Sequence, residues 1–196
     1  MANDKGKILI SIARAAIAES LGLAHTSIDE LAQGEPWLRE KAACFVTLTQ
    51  YGQLRGCIGT LEAHRPLLED VIHNANAAAF RDTRFSPLSA DELDETEIEI
   101  SLLSAMQPLD FSSEQDALAQ LRPGIDGVLF EYGQHRSTFL PQVWQQLPDS
   151  KDFMAHLKNK AGLASDFWAD EIKLYRYSVT KWKENDPVSP AEAETL

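Results

Sequence analysis

Apolar and polar residues alternate along this chain with two different periods, and the changes of period mark its elements. In MANDKGKILISIARAAIAES the apolar positions Ile8, Ile12, Ala15, Ala16 and Leu21 recur at helical spacing. This predicts an amphipathic first helix, capped by Asn3 or Asp4 and fading near Gly22. Residues 24–40 are mixed, carry Gly34 and Pro36, and read as a connector with one short helical turn. The β-branched and aromatic run ACFVTLTQYG ends on the turn signal Tyr51-Gly52, and QLRGCIGTL resumes extended structure, so the two form a hairpin. Pro66 stands at an N1 position before a helix whose buried face is Leu67, Leu68, Val71, Ile72, Ala75, Ala78 and Ala79. The alanine run at 77–79 suits close approach of a sheet or another helix.

ETEIEISLLS alternates strictly, with Ile98, Ile100 and Leu102 on one face and Glu97, Glu99 and Ser101 on the other, as a half-buried strand does. A short helix over 112–121 stops at Pro123-Gly124. IDGVLFEYG and HRSTFL then form a second hairpin around Tyr132-Gly133-Gln134. PQVWQQL reads as a short helix opened by Pro141, KDFMAHLKNKAGL as a helix ended by Gly162, and EIKLYRYSVTKW (171–182) as a last strand. Helices and hairpins mix without a βαβ rhythm. The expected class is α+β, with a mixed or antiparallel sheet built from hairpins and flanking helices. The two hairpins hint at related halves, but no sequence repeat joins them.

Composition narrows this further. With 196 residues, 44% of them hydrophobic, the chain suits one large domain or two small lobes sharing a core. We expect a single domain over 1–184 and a disordered acidic, proline-containing tail over 185–196. The net charge of −12 disfavours nucleic acid and anionic membranes, and no run reaches the length of a membrane span. Two cysteines, Cys44 and Cys57, make no disulfide scaffold, and no spacing suggests a metal or another cofactor. The N-terminal apolar run, interrupted by Arg14 and Glu19, does not read as a signal peptide. The compartment expected is the reducing cytoplasm.

Six blocks carry a resemblance: LRGCIGTLE, AAFRDTRFSPL, EIEISLLS, GIDGVLFEYG, STFLPQVW and LKNKAGL, in this order. With them the chain resembles the AMME-syndrome chromosomal region candidate family, and more closely its bacterial AmmeMemoRadiSam system protein A branch, over nearly its whole length. The resemblance implies a two-lobed α+β fold with motif residues lining a cleft between the lobes. It also implies association with a Memo-like protein and a radical-SAM protein; it brings no reaction with it. Carried over by position, the motif residues are Arg55, Gly56, Cys57, Ile58 and Gly59; Asp82, Arg84, Phe85 and Pro87; Phe139, Leu140, Pro141 and Gln142; and Lys160, Ala161 and Gly162. Thr83 departs from the pattern, standing where the family often has proline.

The chemistry centres on Cys57. On a strand of period two, Arg55, Cys57 and Gly59 share a face. A guanidinium beside a thiol favours the reactive thiolate, and a glycine there leaves room for a substrate. Against this, a buried free cysteine is an inert small hydrophobe, and glycines also admit a packed helix. Of the five histidines, His64 is nearest in sequence as a base, and His135 sits at the second hairpin turn. Arg55, Arg81, Arg84 and Arg136 lie in or beside motif blocks, and could gather an anion or pair with Asp82, Glu97 or Glu99. Glu97 and Glu99, about 7 Å apart along a strand, read as a solvated face ahead of an acid–base pair. Phe139, Leu140 and Trp144 could line an apolar wall, while Lys158 and Lys160 suit a helix C-terminus without any ligand.

Two hypotheses result. In one, Arg55, Gly56, Gly59, Asp82, Arg84, Phe139 and Gln142 bind a small anionic ligand with Cys57 as the reactive thiol, alongside the Memo-like and radical-SAM proteins. In the other, the chain is an adaptor and LRGCIG is a packing motif.

Overall fold

The computed structural model describes residues 2–185. The tail expected to be disordered lies outside them from residue 186 on, while Asn185 donates from Nδ2 to Glu97 Oε1 at 2.8 Å. The chain forms two compact units, one made of residues up to Leu103 together with those from Thr180 on, the other of Ser104–Val179. Buried apolar residues form two clusters, one in each unit.

The first unit opens with α1 (Ala2–Ser20), which starts ahead of the expected caps and ends before Gly22, at φ +70°. The connector holds α2 (Ile28–Leu31) and a 3₁₀ turn, Pro36–Arg39. Strands β1 (Ala43–Gln50) and β2 (Gln53–Gly59) pair antiparallel. Tyr51 and Gly52 both have positive φ, 51° and 75°, as a two-residue turn twisted to match the strands requires. Helix α3 (Leu67–Phe80) follows; Pro66 caps it at ψ 144° instead of occupying its first turn. A 3₁₀ turn, Ala90–Glu95, leads into β3 (Thr96–Leu103). Alternation works as expected: Cys44, Val46, Leu48, Ile98 and Ile100 are buried beneath α1 and α3.

The second unit holds β4 (Gln107–Pro108), α4 (Glu114–Gln120), β5 (Gly127–Tyr132), β6 (His135–Phe139), a 3₁₀ turn over Pro141–Gln145 where a short helix was expected, and α5 (Ser150–Lys160). Residues 171–182 do not form one strand. They divide into β7 (Lys173–Tyr177) and β8 (Val179–Lys183), which belong to different sheets. The break is at Ser178, whose backbone N–H and C=O bond Ser104 instead of continuing a ladder. The sheet orders are β2-β1-β3-β8 and β4-β7-β5-β6. In the second core Trp144 stacks on Phe153 with ring centroids 3.8 Å apart and donates from its indole N–H to the Asp126 carbonyl. Gly127 is bare because the Tyr177 ring lies 2.4 Å from where a Cβ would stand.

Candidate functional site

The site is built on β2, an edge strand. Its register with β1 slips between Leu48, opposite Gly56, and Thr49, opposite Leu54, so Arg55 is the extra residue of a β-bulge. The expected sharing of one face by Arg55, Cys57 and Gly59 is therefore broken at Arg55. Gly56, opposite Leu48, turns to the core, where a Cβ would stand 2.2 Å from the Ala78 carbonyl oxygen on α3. This glycine admits the helix, as the alanine run anticipated. On the other face Gly59 admits the Phe45 ring, 2.1 Å from its would-be Cβ. The space left by Gly59 is thus filled from within the protein.

Cys57 is half-buried and lies opposite Thr47, whose hydroxyl donates to Sγ at 3.3 Å. Its backbone N–H donates to Asp82 Oδ2 at 2.9 Å, and its carbonyl accepts from Arg84 Nη2 at 3.3 Å. The segment after α3 thereby supplies the acceptor and donor that a further strand would have offered, and closes the open edge at that point. Asp82 is buried and also takes Arg84 Nε and Nη2 at 2.9 and 2.6 Å. The Arg84 hydrogen bonds, helped by the Cys57 N–H and opposed by burial, hold its carboxyl far below the usual carboxylate range. Thr83 sits second in a turn closed by the Phe85 N–H on the Asp82 carbonyl, a position that suits the family's proline. The Asp82 carboxylate also binds the Arg84 N–H, so the turn is held without it.

Arg55 is buried and meets Glu92 side-on, through Nε at 3.0 Å and Nη2 at 3.2 Å. Glu92 completes a capping box with Ser89 on the Ala90–Glu95 turn. Arg55 and then the Ser89 N–H lower its pKa to about 2. Both guanidiniums approach the Phe85 ring, at 6.0 Å for Arg55 and 5.5 Å for Arg84. Each is matched by one carboxylate, so the cluster carries no excess positive charge. One buried nitrogen is left over: Arg55 Nη1 has no hydrogen-bond partner among the described residues.

The structure brings together Arg55, Gly56, Cys57, Gly59, Asp82 and Arg84. Phe139 and Gln142 belong to the second unit, where Phe139 packs edge-on against Phe153 and under the Lys160 ammonium. His64 makes no hydrogen bond to Cys57, and His135 belongs to the second unit. The exposed His64 ring bonds the Glu62 carbonyl and Arg65, and His135 bonds the Ala161 carbonyl. Lys158 and Lys160 stand in the last turn of α5, as expected at a helix C-terminus, and Lys158 is in addition buried against Glu114 Oε1 at 2.7 Å. Glu99 lies between Lys181 and Lys183 of β8, so its strand face is charge-paired. Three features escaped the sequence reading. Glu92 was signalled by its Ser-x-x-Glu spacing. Thr47 carried no signal before the register was known. Asp70 and Asn74 bury a polar network inside α3, taking the Cys44 N–H, the Thr60 hydroxyl and Arg65. Burial, then the Asp70 charge, pushes the Cys44 thiol pKa far up.

Comparison with known proteins gives the family and the fold. The AMMECR1 family profile matches residues 10–182. A protein of Methanothermobacter thermautotrophicus is 36% identical over 189 residues, covering 94% of this chain and 97% of its own. Protein MJ0810 of Methanocaldococcus jannaschii is 34% identical, with 94% and 92% covered. Among solved structures, that of the uncharacterized protein PH0010 from Pyrococcus horikoshii superposes with a TM-score of 0.78 at 32% identity, covering 96% of this chain and 95% of that one. The protein is an α+β protein with two antiparallel sheets. It belongs to the AMMECR1 family. No helix among its described residues is long and apolar enough to cross a membrane.

Proposed function

We propose that this AMMECR1 domain binds a small anionic group, a carboxylate or phosphate, through Arg55 and Arg84 beside Cys57. The observation that carries the reading is Arg55 Nη1. A buried charged donor without an acceptor costs more than the roughly 1–3 kcal/mol of a neutral group, and an anionic oxygen is the acceptor it lacks. Glu92 and Asp82 orient the guanidiniums, and Phe85 backs them. Because the two carboxylates already balance the charge, binding is modest and depends on geometry. If chemistry accompanies binding, the Cys57 thiol is the group placed to perform it, and a reducing cytoplasm keeps it free.

The test uses inorganic phosphate and acetate as probes. Saturating anion is expected to shift the arginine side-chain NMR signals of Arg55 and Arg84 and to slow iodoacetamide labelling of Cys57, with Cys44 unlabelled until unfolding. Arg84→Gln, on an arginine whose side chain is 54% exposed, is expected to weaken both effects. Anion-independent labelling together with unmoved arginine signals defeats the reading.

A second reading is favoured by Gly56 against Ala78, Gly59 against Phe45, and the ionic closure of the β2 edge. These make LRGCIG a packing motif on an adaptor. Its partners would be the Memo-like and radical-SAM proteins that the resemblance implies. Co-purification with either protein, unaffected by Arg84→Gln and by anion, would favour it.

A further inference from the structure

The first unit carries a second feature, a cavity of about 750 Å³ lined by α1, the segment after it, and the Ala90–Glu95 turn. Its size falls within the range of small-molecule sites. Its floor is hollow because the residues there are short: Ala15 and Ala18 of α1 are each 4% exposed and present only methyl groups. Leu23, Leu31 and Leu93 add aliphatic wall.

The charges around this wall are unequal. Arg14, the one guanidinium in the lining, spends four of its five N–H donors on the protein: Nε and Nη2 hold Glu184, Nη1 the Leu93 carbonyl, and Nη2 also the Thr96 carbonyl. Its charge is matched by Glu184. The side chains of Asp91 and Asp94, also in the lining, make no hydrogen bond or ion pair with any described residue, so their charge remains available. His25 bonds the Leu23 carbonyl through Nδ1. A hollow of mixed lining, with methyl and leucine surface on one side and two uncommitted carboxylates on its border, on a chain of net charge −12, complements a cation with a hydrocarbon body.

We propose that this cavity is a binding site for a small organic amine, its ammonium at Asp91 and Asp94 and its hydrocarbon portion over Ala15, Ala18 and Leu93. The site shares the Ala90–Glu95 turn with the Arg55 cluster through Glu92, but it uses none of that cluster's residues, and its test reads different probes.

The probes are n-hexylamine, hexanoate and hexan-1-ol, added to the full chain and followed by amide NMR shifts. The protonated amine is expected to bind saturably, moving the signals of Ala15, Ala18 and Leu93, and to bind more tightly than hexanoate or hexan-1-ol. Removing both charges, by Asp91→Asn with Asp94→Asn, is expected to weaken the amine about tenfold and to leave hexan-1-ol unchanged. Both aspartates are exposed, so this variant keeps the fold. Ala18→Leu, which fills the floor, is expected to abolish binding of all three probes. Equal affinity for amine and hexanoate, or amine binding unchanged in the double variant, overturns the proposal; so does the absence of saturable shifts.

Discussion

At Gly56 and Gly59 the same substitution meets different obstacles. A methyl at Gly56 runs into a backbone carbonyl of α3, which moves only if the helix moves. A methyl at Gly59 runs into the Phe45 ring, a side chain that can rotate. Gly56→Ala is therefore expected to lower unfolding stability by about 1–3 kcal/mol, near the upper end, and Gly59→Ala by less. Urea denaturation midpoints of the two variants check the order; equal losses would mean that α3 yields as easily as a ring. The helix is held in place by Asp70 and Asn74, whose bonds to Cys44 and Thr60 tie α3 to β1 and to the loop after β2.

Among elements, the Ala90–Glu95 turn and the edge of β2 depend on ionised carboxylates. Glu92 has its pKa lowered to about 2, against about 4.3 in an unfolded chain. A carboxylate with a lowered folded pKa stabilises above its unfolded value and loses that contribution as pH falls toward its folded one. Stability is expected to hold from neutral pH to about 4 and then to decline toward pH 2. Asp82, held lower still, keeps contributing further into acid. In Glu92→Gln the decline between pH 4 and 2 should be shallower, as read from urea midpoints over that range.

The sequence predicted hairpins and helices here because alternation and helical spacing follow directly from burial, as at Ile98 and Ile100. It did not predict the bulge at Arg55, because one extra residue changes no composition and is defined only by a partner's register. It also read 171–182 as continuous, since Ser178 suits a strand and only its bonds to Ser104 show the break. At the site, pairing of Arg84 with Asp82 was one of the alternatives weighed. Arg55 finding Glu92, 37 residues away, depends on tertiary placement.

For the whole molecule, the first unit is closed by residues from both ends of the sequence. Arg14 on α1 holds Glu184 just after β8 through two 2.6 Å bonds, and Glu184 also accepts the Ile98 N–H. Glu184→Ala removes a partly buried, charge-assisted contact and leaves Arg14 without its anion. A loss of about 1–3 kcal/mol is expected, with faster amide exchange in β3 and β8 than in β5. Uniform acceleration across both sheets would show that the units unfold as one.

The place of β8 in the sheet has a consequence for synthesis. Its neighbour β3 ends at Leu103, but β8 begins only at Val179. On the ribosome the growing chain must therefore present β3 as a bare edge while residues 104–178 are added, roughly 4–15 s at ordinary elongation rates. Alternating glutamates at 97 and 99 suit that interval. Before Lys181 and Lys183 arrive at Glu99, and Asn185 at Glu97, they are negative charges on an exposed strand, and they discourage a neighbouring nascent chain from taking the position reserved for β8.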